Sequence, residues 1–102
     1  MRIYNKLVRD NIPDIIKNQG EKPYVSVLDD KRYNTQLRKK LNEEVREYLI
    51  SEEIEELADI IEVVEAIANH KGSSLEKVLE IKEKKAVKNG KFEKRLFLKK
   101  VE

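Results

Sequence analysis

The sequence predicts an all-α protein, a helical bundle with a small fringe of short β-strands, and three observations carry that expectation. Apolar residues recur at helical spacing through most of the chain. Serine, asparagine and glycine stand where those runs would start and stop. Only two short stretches, Tyr24–Leu28 and Arg95–Val101, have the β-branched and aromatic character of strands.

Taken in order, Asn11 to Asn18 forms a short helix, with Pro13 tolerated in its first turn, Ile12, Ile15 and Ile16 on one side, and Gly20 as its stop. Tyr24 to Leu28 follows Pro23 as a strand. Leu37, Leu41, Val45 and Tyr48 then recur at the spacing of a helix running from about Asp30 to Ile50. Ser51 is expected to cap the next helix, which carries Ile54, Leu57, Ile61, Val64 and Ala68 inward and ends near His70 at Gly72. Ser73 or Ser74 caps a further helix bearing Leu75, Val78, Leu79, Ile81 and Val87, stopped by Asn89 and Gly90. The closing RLFLKKV is a strand expected to pair with Tyr24–Leu28, although two short strands alone are marginally stable.

The chain has 102 residues, room for one domain spanning residues 1–102. A chain of this size buries about two-thirds of its extended surface, which leaves helices with apolar area for a partner, so a homo-oligomer is expected. The absence of cysteine excludes disulfides, thiolate nucleophiles and zinc–thiolate sites. No apolar run approaches the roughly 18 residues of a membrane span, and MRIYNKLVRD lacks a signal-peptide core. A soluble cytoplasmic protein with no membrane partner is expected.

The net charge is only +2, but the charges are sorted. Residues 42–65 hold ten acids against Arg46 alone, and residues 82–100 hold nine Lys or Arg against Glu83 and Glu93. An acidic centre beside a basic tail suits either a metal site next to a polyanion grip or two solvated faces that attract each other. Aromatic residues are too sparse in the basic tail for a stable nucleic-acid partner.

Two acidic motifs stand out: EExxE at Glu43, Glu44 and Glu47, and ExxD at Glu56 and Asp59. Residues three apart are neighbours on one helical face, so pairs on adjacent helices can converge on a hard divalent cation. With Leu41 as zero and about 100° per residue, Glu44 falls at about −60°, Glu47 at about −120°, and Glu43 nearly opposite. Glu44 therefore borders the apolar stripe, Glu47 follows it, and Glu43 faces water. On the next helix Glu56 falls inside an arc shared with Ile60, Val63 and Ile67, and Asp59 at its border. Facing carboxylates about 5 Å apart repel by roughly 3 kcal/mol at an effective dielectric near 20, a cost that a bound cation removes. Pairing with Lys39, Lys40 or the basic tail is the structural alternative. Glu62 and Glu65 suit a supporting role, a second ion or an interface, and His70 suits a favourable partner for a helix C-terminus.

These residues resemble the signature of the all-α nucleoside triphosphate pyrophosphatases, also called MazG-like, whose EExxE and ExxD motifs correspond to EEVRE at 43–47 and ELAD at 56–59. The opening YNKLVRDNIP at 4–13 and the closing KNGKFEKRLFL at 88–98 are similar to the small house-cleaning branch of that family, related to phosphoribosyl-ATP pyrophosphohydrolases. The resemblance implies hydrolysis of a nucleoside triphosphate between the α and β phosphates, requiring Mg²⁺, with Mn²⁺ as a possible substitute. It implies Glu44, Glu47, Glu56 and Asp59 as metal ligands, and a bundle that assembles as a dimer or tetramer. Glu44 or Glu47 is then the candidate general base, and Lys6, Arg9, Lys91 and Arg95 are candidates to hold phosphates. The competing expectation is a non-catalytic helical interaction module.

Overall fold

The computed structural model describes residues 1–102 and contains four helices in the order α1 Ile12–Asn18, α2 Asp30–Ser51, α3 Ile54–His70 and α4 Leu75–Asn89. The expectation of an all-α fold is met. The β-fringe is not: neither Tyr24–Leu28 nor Arg95–Val101 forms a strand, and no backbone hydrogen bond joins them. A two-stranded ribbon has too little packing to persist alone, and here most side chains of both segments are exposed.

Local chemistry explains each boundary. Pro13 occupies the first turn of α1, where a missing N–H costs nothing, and Gly20 at φ +83° stops it. The Asp29 carboxylate caps α2 by accepting from the Arg32 N–H at 2.9 Å. At the other end Glu52 adopts the left-handed conformation at φ +57°, and its N–H closes the helix onto the Tyr48 carbonyl at 2.7 Å. Ser51 does not cap α3. It is the last residue of α2, its hydroxyl accepts from the Glu53 N–H at 3.2 Å, and the first turn of α3 is served by Glu55 and Glu56 against the helix dipole. Ser74 caps α4 as expected, accepting from the Lys77 N–H at 3.1 Å.

Glu52 and Glu53 alone connect α2 to α3, so these helices form an antiparallel hairpin, the most extensive packing in the fold. Its centre is small: Leu37 is 2% exposed, and only Val63, Ala68 and Glu44 are buried with it. α4 packs on α3 alone. The stripe expected to face inward on α3 is therefore divided. Ala68 is buried, but Ile54 and Ile61 are 75% and 53% exposed, because α2 covers the neighbouring arc that carries Glu56, Asp59 and Val63. The chain is elongated, 61 × 32 × 24 Å, and no helix is long and apolar enough to cross a membrane.

Candidate metal centre

The hairpin determines the site. Glu44 and Glu47 lie one turn apart on α2, and Glu56 and Asp59 lie one turn apart at the start of α3. Because the helices are antiparallel and joined by two residues, the last turns of α2 face the first turns of α3. The carboxylates form two overlapping groups, Glu43, Glu44 and Glu47 in one, Glu44, Glu56 and Asp59 in the other. Within each group one oxygen per residue lies within 4.8 Å of the others. Glu44 belongs to both and is the hinge of the arrangement.

Glu44 is also the most costly of them to bury. It is only 6% exposed, and its Oε2 has no hydrogen-bond partner. Oε1 is held by the Lys40 ammonium at 3.2 Å, one turn earlier on α2. Burial pushes the Glu44 carboxyl above the ordinary carboxylate value, with the neighbouring Glu47 adding to the rise and Lys40 opposing it. An unpartnered buried carboxylate oxygen among other carboxylates is a place where a cation fits. An all-oxygen, acidic donor set suits a hard ion such as Mg²⁺ or Mn²⁺.

The chain's own cations gather at the edges of the cluster. Lys6 Nζ donates to Glu43 Oε1 at 3.2 Å, and Lys40 Nζ approaches the same oxygen at 3.5 Å. Arg9 donates from Nη2 to Asp59 Oδ1 at 2.7 Å and reaches Glu62 Oε1 at 3.5 Å through Nη1. Glu47 and Glu56 have no such partner. Glu43 therefore serves as a counter-ion to two lysines, and its side chain is only 29% exposed rather than open to water as its spacing predicts.

A cavity of about 650 Å³ opens beside the cluster, with Glu44 and Asp59 in one wall. The N-terminal segment from Leu7 to Ile12 forms another wall, and Tyr33, Glu65 and Asn69 contribute to the rest. The Tyr33 ring meets His70 edge to face at 5.0 Å, so His70 supports the cavity wall at the end of α3. A second depression of about 440 Å³, around Leu28, Asp29 and Arg32, touches none of the carboxylates of the two groups.

Of the residues selected from sequence, the structure joins Glu44 to Glu47 in one group and to Glu56 and Asp59 in the other, with Arg9 on Asp59 and Lys6 on Glu43. Lys91 and Arg95 lie in the exposed tail, line neither cavity and form no ion pair. Lys40 is the site residue that sequence reasoning treated only as a neutralising neighbour. Its signal was the spacing of three and four residues to Glu43 and Glu44, which places an ammonium on the same helical face. Comparison with protein families, with curated proteins and with solved structures gives no match to this chain. The resemblance therefore rests on the motifs themselves.

Proposed function

We propose that this protein is a divalent-cation-dependent nucleoside triphosphate pyrophosphohydrolase, which adds water across the α–β anhydride bond and releases a nucleoside monophosphate and pyrophosphate. The observation that carries the proposal is the buried Glu44, its Oε2 unpartnered, shared by two groups of carboxylates from facing helices. Noncanonical or deoxy nucleotides are the proposed substrates, by resemblance to the house-cleaning branch. The proposed setting is the cytoplasm, and the proposed working form is a homo-oligomer.

Glu44, Glu47, Glu56 and Asp59 would hold Mg²⁺ or Mn²⁺. Such an ion supplies positive charge to phosphate oxygens and makes a coordinated water more acidic. Glu47 is half-buried and free of ion pairs, so its carboxylate is available to accept the proton of the attacking water. Arg9 lines the cavity and Lys6 stands beside Glu43, so a guanidinium and an ammonium are available to phosphate oxygens that compete with Asp59 and Glu43 for them. The apolar wall from Leu37 to Val63 limits water around the buried carboxylate.

A second reading is favoured by one specific observation: Lys6, Arg9 and Lys40 already neutralise Glu43, Glu44 and Asp59 within the chain. On that reading the acidic hairpin is a structural element of an interaction module. Pyrophosphate release from a panel of ordinary and modified nucleoside triphosphates, with and without Mg²⁺ or Mn²⁺, separates the two. Metal-dependent release that Glu56→Gln abolishes supports the enzyme. A folded protein that neither binds the metal nor releases pyrophosphate supports the module.

A further inference from the structure

The two segments with strand character are left without partners in the single chain. None of the backbone N–H or C=O groups of residues 22–28 or 96–102 enters a backbone hydrogen bond. Their side chains are equally uncommitted: Val27 is 100% exposed, Phe97 85%, and Tyr24, Leu96, Leu98 and Val101 are similarly open. Segments of this composition are templates for strand addition, in which main-chain pairing supplies affinity and alternate side chains supply fit.

The molecular surface indicates what fills that role. A compact monomer of 12.0 kDa exposes about 6,000 Å². This chain exposes 9726 Å², an excess of roughly 3,700 Å² over that figure. Its radius of gyration is 17.9 Å, against about 13 Å for a compact chain of this length. Obligate homodimers bury about 1,000–2,500 Å² from each subunit, so the excess is enough to supply such an interface. The outward side of α3, with Ile54, Leu57 and Ile61, adds an apolar floor on which a ribbon could rest.

We infer that two copies of this chain exchange their ends: the Arg95–Val101 segment of each pairs as a β-strand with Tyr24–Leu28 of the other. Reciprocal exchange about a two-fold axis satisfies both segments in both copies and closes the assembly, whereas one-way addition would run on as a filament. Packing of each ribbon against α3 supplies the support that a free two-stranded ribbon lacks. The inference gives the proposed homo-oligomer a specific interface, and its test is separable from the proposed chemistry, since neither metal nor nucleotide takes part.

The chain has no cysteine, so single cysteines report contacts cleanly. Val27→Cys and, separately, Leu96→Cys, Phe97→Cys and Leu98→Cys are purified, mixed in pairs and mildly oxidised. Light scattering then measures the mass of the unaltered chain and of a chain lacking residues 94–102, with circular dichroism to verify their helices. The expected results are a dimer for the unaltered chain, a monomer for the shortened one, and a mixed disulfide between Val27→Cys and at least one tail position. An unaltered monomer at about 100 µM, well above typical obligate-dimer dissociation constants, overturns the inference. So does a dimer that survives loss of the tail, or the absence of any mixed disulfide. An intramolecular disulfide in a monomeric Val27→Cys/Phe97→Cys double variant assigns the tail to its own chain and overturns it as well.

Discussion

Arg9 and Asp59 are separated by 50 positions in the chain, yet the Arg9 guanidinium donates to the Asp59 carboxylate at 2.7 Å. This contact ties the N-terminal segment to the start of α3 and places a cation beside a proposed metal ligand. Both side chains are about half exposed, so the pair contributes at most about 1 kcal/mol to stability. Its importance lies in competition, since the Arg9 charge beside Asp59 weakens the attraction of that carboxylate for a metal ion.

Arg9→Gln should therefore separate two quantities. Metal affinity in the absence of nucleotide is expected to stay the same or rise by a few-fold, because a competing cation is gone. KM for the nucleotide should rise about tenfold, corresponding to roughly 1.4 kcal/mol of lost phosphate contact. Calorimetric metal titration and steady-state kinetics measure the two sides. A parallel loss of metal affinity would assign Arg9 to positioning Asp59 instead.

Glu44→Gln tests the cost of the buried carboxylate. Burial raises the Glu44 carboxyl above its ordinary value of 4.5, so the metal-free folded state holds a proton that the unfolded state releases between those two values. By linkage its contribution to stability improves as pH falls through the raised value toward 4.5 and is lost as pH rises through it. Metal-free Glu44→Gln is expected to lack this slope and to melt no lower than the unaltered chain at pH 7. It should also lose the thermal stabilisation that excess Mg²⁺ or Mn²⁺ is expected to give the unaltered chain. Melting curves of both proteins across pH, with and without metal, provide the comparison.

Within the acidic motifs the substitutions should not be equivalent. Glu56→Gln removes a carboxylate with no partner but the proposed ion, and metal affinity should fall by at least tenfold, about 1.4 kcal/mol. Glu43→Gln removes a counter-ion of Lys6 and Lys40, and metal affinity should change less than about threefold, under 1 kcal/mol. Equal losses in the two variants would place Glu43 among the ligands.

The bend between α2 and α3 offers a stability test. Glu52 holds φ +57°, a conformation that costs a residue with a side chain about 1 kcal/mol or more and glycine little. Glu52→Gly should raise unfolding free energy by about 0.5–1 kcal/mol, the strain relief being partly offset by the greater freedom of glycine in the unfolded chain. Chemical denaturation measures the difference.

Much of this was legible in the residues, and the remainder was not for physical reasons. Helical periodicity and the Ser74 cap announced α4, and the wheel placed Glu44 at the border of the apolar stripe, where it proves buried. Periodicity could not say which part of the wide apolar arc on α3 meets α2, because an arc that broad suits two neighbours; the chain covers Val63 and leaves Ile61 open. Strand character at Tyr24–Leu28 and Arg95–Val101 is a local property, whereas a strand exists only with a partner. The basic residues Lys91 and Arg95 were selected by charge, which carries no information on distance from the carboxylates.

The two-residue link between α2 and α3 also bears on how the site comes into being. Every proposed ligand lies between Glu44 and Asp59, inside one helical hairpin. Local contacts of this kind form on the microsecond-to-millisecond scale characteristic of helical proteins. The carboxylates can thus converge while the ends of the chain are still unfolded, and a cation can act as an early nucleating bridge between the helices. Metal present during refolding should accelerate helix pairing, beyond stabilising its product.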